Sequence, residues 1–151
     1  MNVKPILYAE DEPDDVFFLR RACQRVGLLN PLLSVADGQE VIDYLSGDGK
    51  YSDRKQYPLP CLVLLDLKMP RKSGLEALKW IRKQDELREM LVIMFSSSNL
   101  DRDIQAAHSS GANDYLVKPS TPDKLVDVVR SIKETWLTPG QPAKPGTAKS
   151  A

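Results

Sequence analysis

Four short apolar runs in this chain each end on residues able to do chemistry. Ile6-Leu7-Tyr8-Ala9 leads into Glu10 and Asp11, Cys61-Leu62-Val63-Leu64-Leu65 into Asp66, Met90-Leu91-Val92-Ile93-Met94-Phe95 into Ser96, and Tyr115-Leu116-Val117 into Lys118. Three carboxylates gathered in one place repel one another and resist ionisation unless a cation shares the site. A hard divalent ion answers that need, and carboxylates with open water positions suit Mg2+. The same ion neutralises an incoming phosphoryl group, while a lysine and a hydroxyl hold the other phosphoryl oxygens. The chemistry expected of the set is therefore phosphoryl transfer to a carboxylate. Asp66 attacks a phosphoryl donor and becomes an aspartyl phosphate. Asp11 and Asp66 bind Mg2+ directly, Glu10 binds directly or through water, and a backbone carbonyl near Lys68 completes the ligands. Ser96 and Lys118 grip the new phosphate and draw their loop and strand inward, a movement in which Tyr115 is expected to change burial.

The elements that must position these groups follow from periodicity. Asp66 closes an unbroken apolar run, and Pro70 forbids regular sheet beyond it. Such a run, too short for a helix, reads as a strand buried on both faces, at the centre of a parallel sheet covered by helices. Ligands collect at the carboxyl ends of strands in open sheets of this kind. Between the strands lie helical patterns. Val16, Leu19, Cys23 and Val26 follow Pro13 at a first-turn position and stop at Gly27. Leu32-Leu33-Ser34-Val35 is a second strand, after which Asp37 and Glu40 form a capping-box-like pair for a helix through Val41, Ile42, Tyr44 and Leu45. Ser73-Gly74-Leu75-Glu76 is a capping box for a helix that buries Leu75, Leu78 and Ile81. Ile104, Ala107 and Gly111 outline a short fourth helix, and Thr121-Pro122 opens a fifth with Leu125, Val128, Val129, Ile132 and Trp136 on one face.

Strand and helix thus alternate five times, which predicts an α/β fold: one doubly wound five-stranded parallel sheet with five helices. If strands one, three, four and five are neighbours, all the reactive groups converge on one pocket. Residues 47–60, with two glycines and two prolines, read as a loop of about a dozen residues. From Thr138 the chain has no acids and no apolar period, so a domain over 1–137 and a flexible tail over 138–151 are expected.

Composition excludes several classes. Lys plus Arg and Asp plus Glu are 21 each, so bulk charge draws the chain neither to nucleic acid nor to a membrane surface. The run from Met90 to Phe95 is far short of the ~20 residues of a membrane helix. Acids at Glu10-Asp11-Glu12 come before any signal-peptide core could form, and Cys23 and Cys61 read as core hydrophobes, so a soluble cytoplasmic protein is expected. The one histidine, His108, falls in the fourth helix as a surface or edge residue, which argues against histidine phosphotransfer by this chain itself.

Taken singly, the acids from Glu10 to Asp15 would be a helix-capping cluster, Ser96 to Ser98 a loop, Lys118 a surface lysine and Tyr115 a packed strand residue. Their placement after four separate buried strands overturns those readings. An aspartate-nucleophile phosphatase uses similar parts but needs a second acid two residues after the nucleophile, where this chain has Lys68, so turnover should be slow. A flavodoxin-like mononucleotide binder would want a hydroxyl- and glycine-rich phosphate loop after the first strand, where this chain has acids.

The set Glu10-Asp11, Asp66 with Met69-Pro70 and Gly74, Ser96, Tyr115 and Lys118-Pro119 resembles the CheY-like response-regulator receiver family, over about residues 4 to 137. The resemblance implies the sheet order 2-1-3-4-5 and phosphorylation of Asp66 with Mg2+ by a sensor histidine kinase or a histidine phosphotransfer protein. It also implies a cis Lys118-Pro119 bond and a reporting surface of helix four, strand five and helix five, through which a homodimer could form. The 47–60 loop, Ser96-Ser97-Ser98 and the ending through Trp136 and Leu137 are most similar to stand-alone receivers associated with bacterial phytochrome kinases. Two positions depart from the common pattern: Glu10 stands where Asp is commoner, and Ser120 stands where many receivers place an aromatic. The function expected is that of a single-domain response regulator in a two-component phosphorelay, without an output domain and switching protein contacts. A phosphorylation-independent binding module is the alternative alongside the slow phosphatase.

Overall fold

Strand alternation sorts the apolar side chains onto two helical layers. The computed structural model describes residues 3–137, so the tail expected over 138–151 lies outside the described residues. Strands β1 (Ile6–Ala9), β2 (Leu32–Val35), β3 (Leu62–Leu65), β4 (Val92–Ser96) and β5 (Asp114–Val117) form one parallel sheet in the order β2-β1-β3-β4-β5. Helices α1 (Pro13–Val26), α2 (Gly38–Ser46), α3 (Gly74–Lys83), α4 (Asp101–Ser109) and α5 (Pro122–Trp136) connect and cover them. Leu7, Ala9, Val63, Leu65, Val92 and Met94 pack with Val41, Leu78 and Ile81 of α2 and α3. Ile6, Tyr8, Leu62, Leu64, Ile93 and Phe95 point the other way, against Leu19, Val129 and Ile132 of α1 and α5. Every residue of β1, β3 and β4 is buried, and a fully buried Leu, Ile or Val side chain contributes roughly 1.5–3 kcal/mol, so these three inner strands are the firmest part of the scaffold.

The register sets the carboxyl ends level. Ala9 lies opposite both Val35 and Leu65, Leu65 opposite Met94, and Ser96 opposite Val117. Caps then turn the chain away from the sheet. Gly27 ends α1 in the left-handed region at φ 76°, which a side chain disfavours. Ser73 and Glu76 make both bonds of the expected capping box. At α2 only half of one forms: Asp37 accepts from the Glu40 amide at 2.8 Å, but the Glu40 carboxylate takes the Ala36 amide and the Tyr51 hydroxyl instead.

Several expected boundaries shift for local reasons. β4 begins at Val92 rather than Met90, because Met90 is held in the preceding turn, its amide on the Leu87 carbonyl and its own carbonyl accepting from Arg82. Gly111 lies past the end of α4, where φ is 103° and its carbonyl also accepts from Arg82. Leu75 is half-buried and Ala77 takes its place in the core. Cys61 is half-buried beside Lys4 and Asn30, packed against the edge of the core rather than inside it.

The 47–60 segment is packed and hydrogen-bonded rather than a free loop. A 3-10 turn at Gly49–Tyr51 buries Tyr51 against Tyr44 and Tyr57, with ring centroids 4.9 and 5.1 Å away. Arg54 donates to the carbonyls of Tyr44 and Leu45, both at 2.8 Å, and of Tyr57 at 3.1 Å, satisfying the open carboxyl end of α2.

Candidate functional site

Glu10, Asp66 and Lys118 each stand one residue past a strand whose hydrogen bonding has not yet ended, Asp11 follows Glu10, and Ser96 is the last residue of β4. The Glu10 amide donates to the Val35 carbonyl at 3.0 Å, the Asp66 amide to Ala9 at 3.1 Å, and the Lys118 amide to Ser96 at 2.8 Å. Their backbones are thus fixed by the sheet before their side chains make any contact. The β3–α3 turn is held from two sides. Gly74, the first residue of α3, passes so close to β3 that a Cβ there would lie 2.0 Å from the Asp66 carbonyl oxygen. Arg71, at φ 62°, donates to both Asp37 oxygens, and the Gly38 amide donates to the Lys72 carbonyl, tying this turn to the start of α2. Burial tends to raise the Asp37 pKa, but its hydrogen bonds with Arg71 and the Glu40 amide prevail and hold the carboxyl below its usual range.

Carboxylate oxygens of Glu10, Asp11 and Asp66 lie within 4.8 Å of one another. Glu10 is buried, the Asp66 side chain is 13% exposed, and Asp11 opens to solvent. Three hard oxygen donors with an open side fit a divalent ion that keeps part of its water shell. Into the same group reaches the Lys118 ammonium, donating to Asp15 Oδ2 at 2.9 Å, to Asp66 Oδ2 at 3.2 Å and to Glu10 Oε1. Burial alone would pull the Lys118 pKa down, yet the hydrogen bonds to Glu10 and Asp15 and the charges of Asp66 and Glu10 outweigh it and raise it, so the ammonium stays charged. Glu10 is pushed up to about 7, chiefly by burial and also by the Asp66 charge, with the Lys118 hydrogen bond opposing.

The cis Lys118–Pro119 bond implied by the resemblance is not present: no described peptide bond is cis. The trans form is the ordinary preference of an X–Pro bond by about 0.5–1 kcal/mol. From it the four-carbon Lys118 side chain already spans to Glu10 and Asp66, so aiming the ammonium requires no cis bond.

On the other side of Asp66 a cleft of about 290 Å³ opens between Asp66 and Lys68 and the segment 96–100. Ser96 is buried at its edge, and its Oγ accepts from the Ser98 amide at 3.2 Å rather than touching a carboxylate. Tyr115 does not reach the carboxylates. Its hydroxyl donates to the Ser98 carbonyl at 2.8 Å, and Ser98 Oγ in turn donates to Asp103 at 2.5 Å. One loop residue therefore joins the Ser96 side of the cleft to β5 and α4.

Sequence reasoning singled out neither Asp15 as a partner of Lys118 nor Tyr8, whose hydroxyl donates to Glu10 Oε1 at 3.2 Å. A signal existed for each. Asp15 lies four residues after Asp11, one helical turn on. Tyr8 precedes Glu10 by two, the period at which side chains along an extended segment share a face.

Comparison with known proteins places this geometry. The family profile described as response regulator receiver domain matches residues 6–130. The chain is 35% identical to a probable methanogenesis regulatory protein, FilR2, of Methanothrix harundinacea, covering 95% of this chain and 88% of that one. Among solved structures it is similar to the response regulator RPA3017 in red light signalling of R. palustris, with TM-score 0.87 and 34% identity over 94% of this chain and all of that one. It is also similar to the phosphorylated cyanobacterial phytochrome response regulator RcpA, with TM-score 0.84 and 29% identity over 93% and 98% of the two chains.

Proposed function

The chain belongs to the response regulator receiver domain family, and from that premise we propose that Asp66 is the residue that accepts the phosphoryl group. The observation that carries this reading is the Lys118 ammonium 3.2 Å from Asp66 Oδ2, beside the three-carboxylate cluster and opposite the cleft at Ser96. Receivers are signalling domains served by histidine kinases, and the proposed donor is a kinase phosphohistidine or a histidine phosphotransfer protein. An Asp66 oxygen bonds to phosphorus as the phosphorus–nitrogen bond breaks, and the electron pair leaves with the donor imidazole. Lys118 turns from Asp66 Oδ2 to a phosphoryl oxygen, and the Ser96 hydroxyl donates to another. Glu10, Asp11 and Asp66, with the Lys68 carbonyl, would hold Mg2+, which when bound would supply charge to offset the phosphoryl oxygens. Lys68 stands where a phosphatase would need its acid, which supports a lasting phosphorylated state over steady turnover.

Movement of Ser96 towards the phosphate pulls on Ser98, and through it on Tyr115 and Asp103, so the state of the site is reported at α4 and β5. The homodimer implied by the resemblance would use α4, β5 and α5, where Leu100 before α4 and Val117 of β5 are exposed. The likeness to RPA3017 and RcpA supports a phytochrome kinase as partner. A cytoplasmic site of action accords with a kinase-served receiver, and no described helix is long and apolar enough to cross a membrane.

The test is intact-mass analysis after incubation with a small phosphodonor and Mg2+, comparing the native chain with Asp66→Asn. One added phosphoryl group, absent in the variant and without Mg2+, is the expected result. A folded, metal-binding protein with no adduct would mark a phosphorylation-independent binding module, and steady phosphate release without an adduct would mark a phosphatase.

A further inference from the structure

Glu10 has one more methylene than an aspartate would, hence one more rotatable bond to restrain before its carboxylate can meet a cation. The structure restrains it at both oxygens. Oε2 accepts from the Glu12 amide at 3.1 Å, while Oε1 accepts from the Tyr8 hydroxyl at 3.2 Å and from Lys118. These donors differ in permanence. Lys118 is shared with Asp15 and Asp66 and must leave Glu10 to meet a phosphoryl group, whereas Tyr8 is fully buried, its ring packed against Phe95 at 6.1 Å in a central strand. The Glu10 side chain is 1% exposed, so water cannot readily replace a lost donor.

We propose that Tyr8 is a positioning residue for the metal site: its hydroxyl keeps the long Glu10 side chain aimed at the cation, and keeps Oε1 satisfied when Lys118 turns away. This rests on the reading of Glu10, Asp11 and Asp66 as ligands of a divalent ion. Such outer hydrogen bonds to ligating groups commonly decide affinity. A purely packing role for Tyr8 would need its ring and not its hydroxyl.

Mn2+, visible by electron paramagnetic resonance while free, is the probe, titrated into the native chain, Tyr8→Phe, Glu10→Asp and the double variant. Tyr8→Phe should weaken Mn2+ binding roughly tenfold while its thermal melt stays cooperative. Shortening Glu10 by about 1.5 Å takes the carboxylate out of reach of the hydroxyl. In the Glu10→Asp background the same tyrosine change should therefore cost under about twofold. Tyr8→Leu is the second variant without a hydroxyl, so a folding defect in one of them does not decide the outcome. Equal affinity of the native chain and Tyr8→Phe, or an equal loss in both backgrounds, overturns the role of Tyr8 and leaves the metal site standing. A native chain that leaves the free Mn2+ signal unchanged overturns the metal site itself, and the role of Tyr8 with it.

Discussion

Replacing Gly74 by alanine sets two effects of opposite sign against each other. Alanine is the better helix former by up to about 1 kcal/mol, so on propensity alone Gly74→Ala would stabilise the first turn of α3. The added Cβ, however, would lie 2.0 Å from the Asp66 carbonyl oxygen and 2.9 Å from its carbon, with the Met94 methyl at 3.2 Å. Ordinary contact begins at 3.4 Å, so a gap of about 1.4 Å must open against backbone and not against a flexible side chain. Overpacking of this kind costs roughly 1–3 kcal/mol, which outweighs the gain in propensity. The movement falls on Asp66 itself, and a misplacement of about 1 Å at a reacting group slows chemistry on the order of 100-fold. Urea unfolding should show a net loss of about 1–2 kcal/mol. Phosphorylation from a small phosphodonor, followed by intact mass, should show the larger effect on rate. Gly27→Ala is the control, because its φ of 76° costs about 1 kcal/mol while open space surrounds the position and the site is untouched. A Gly74→Ala protein as stable as the native chain and phosphorylated at the same rate would refute the close-approach argument.

Removing the shared cation and changing pH probe the electrostatics of the same site. Lys118→Met leaves three carboxylates without their ammonium, and should cost roughly 3 kcal/mol, the low end for a broken buried pair because Glu10 can take up a proton. Saturating Mg2+ should restore much of the melting temperature, and equal melts of variant and native chain without metal would contradict the pairing. For Glu10 the folded pKa of about 7 lies above the usual 4.5, so between these values the native state holds a proton that the unfolded chain releases. The stabilisation from this group is full below 4.5 and is lost as pH rises through 7 in the metal-free protein. Mg2+ requires the ionised carboxylate, so its dissociation constant should be larger about one unit below pH 7 than about one unit above. Titrating Mg2+ at both values checks this, and equal affinity would remove Glu10 from the ligand set.

Much of the molecule was legible in one dimension because its determinants are local or periodic. Five apolar runs interleaved with helical spacing specify a parallel α/β sheet, and Ser73, Glu76, Thr121, Pro122 and Gly27 mark helix ends within a residue. Glu10-Asp11 and Asp66 were identifiable because they follow the fully buried strands β1 and β3, and Lys118 because it follows the apolar run of β5, which the structure leaves only partly buried; topology carries these strand ends to one edge of the sheet. What depends on contacts between distant segments was not legible. The trans Lys118–Pro119 bond, the pairing of Lys118 with Asp15, the Tyr8 bond to Glu10 and the Arg71 clamp on Asp37 each depend on where a side chain ends after the elements pack. The same holds for the tyrosine cluster and Arg54, which make an ordered element of a segment that read as a polar loop. By itself the sequence determined the order of elements and the types of group at the strand ends, since these follow from neighbours a few residues apart. Only the tertiary structure decided which oxygen meets which donor, because hydrogen-bond reach is a matter of tenths of an ångström and is set jointly by residues as far as 108 positions apart.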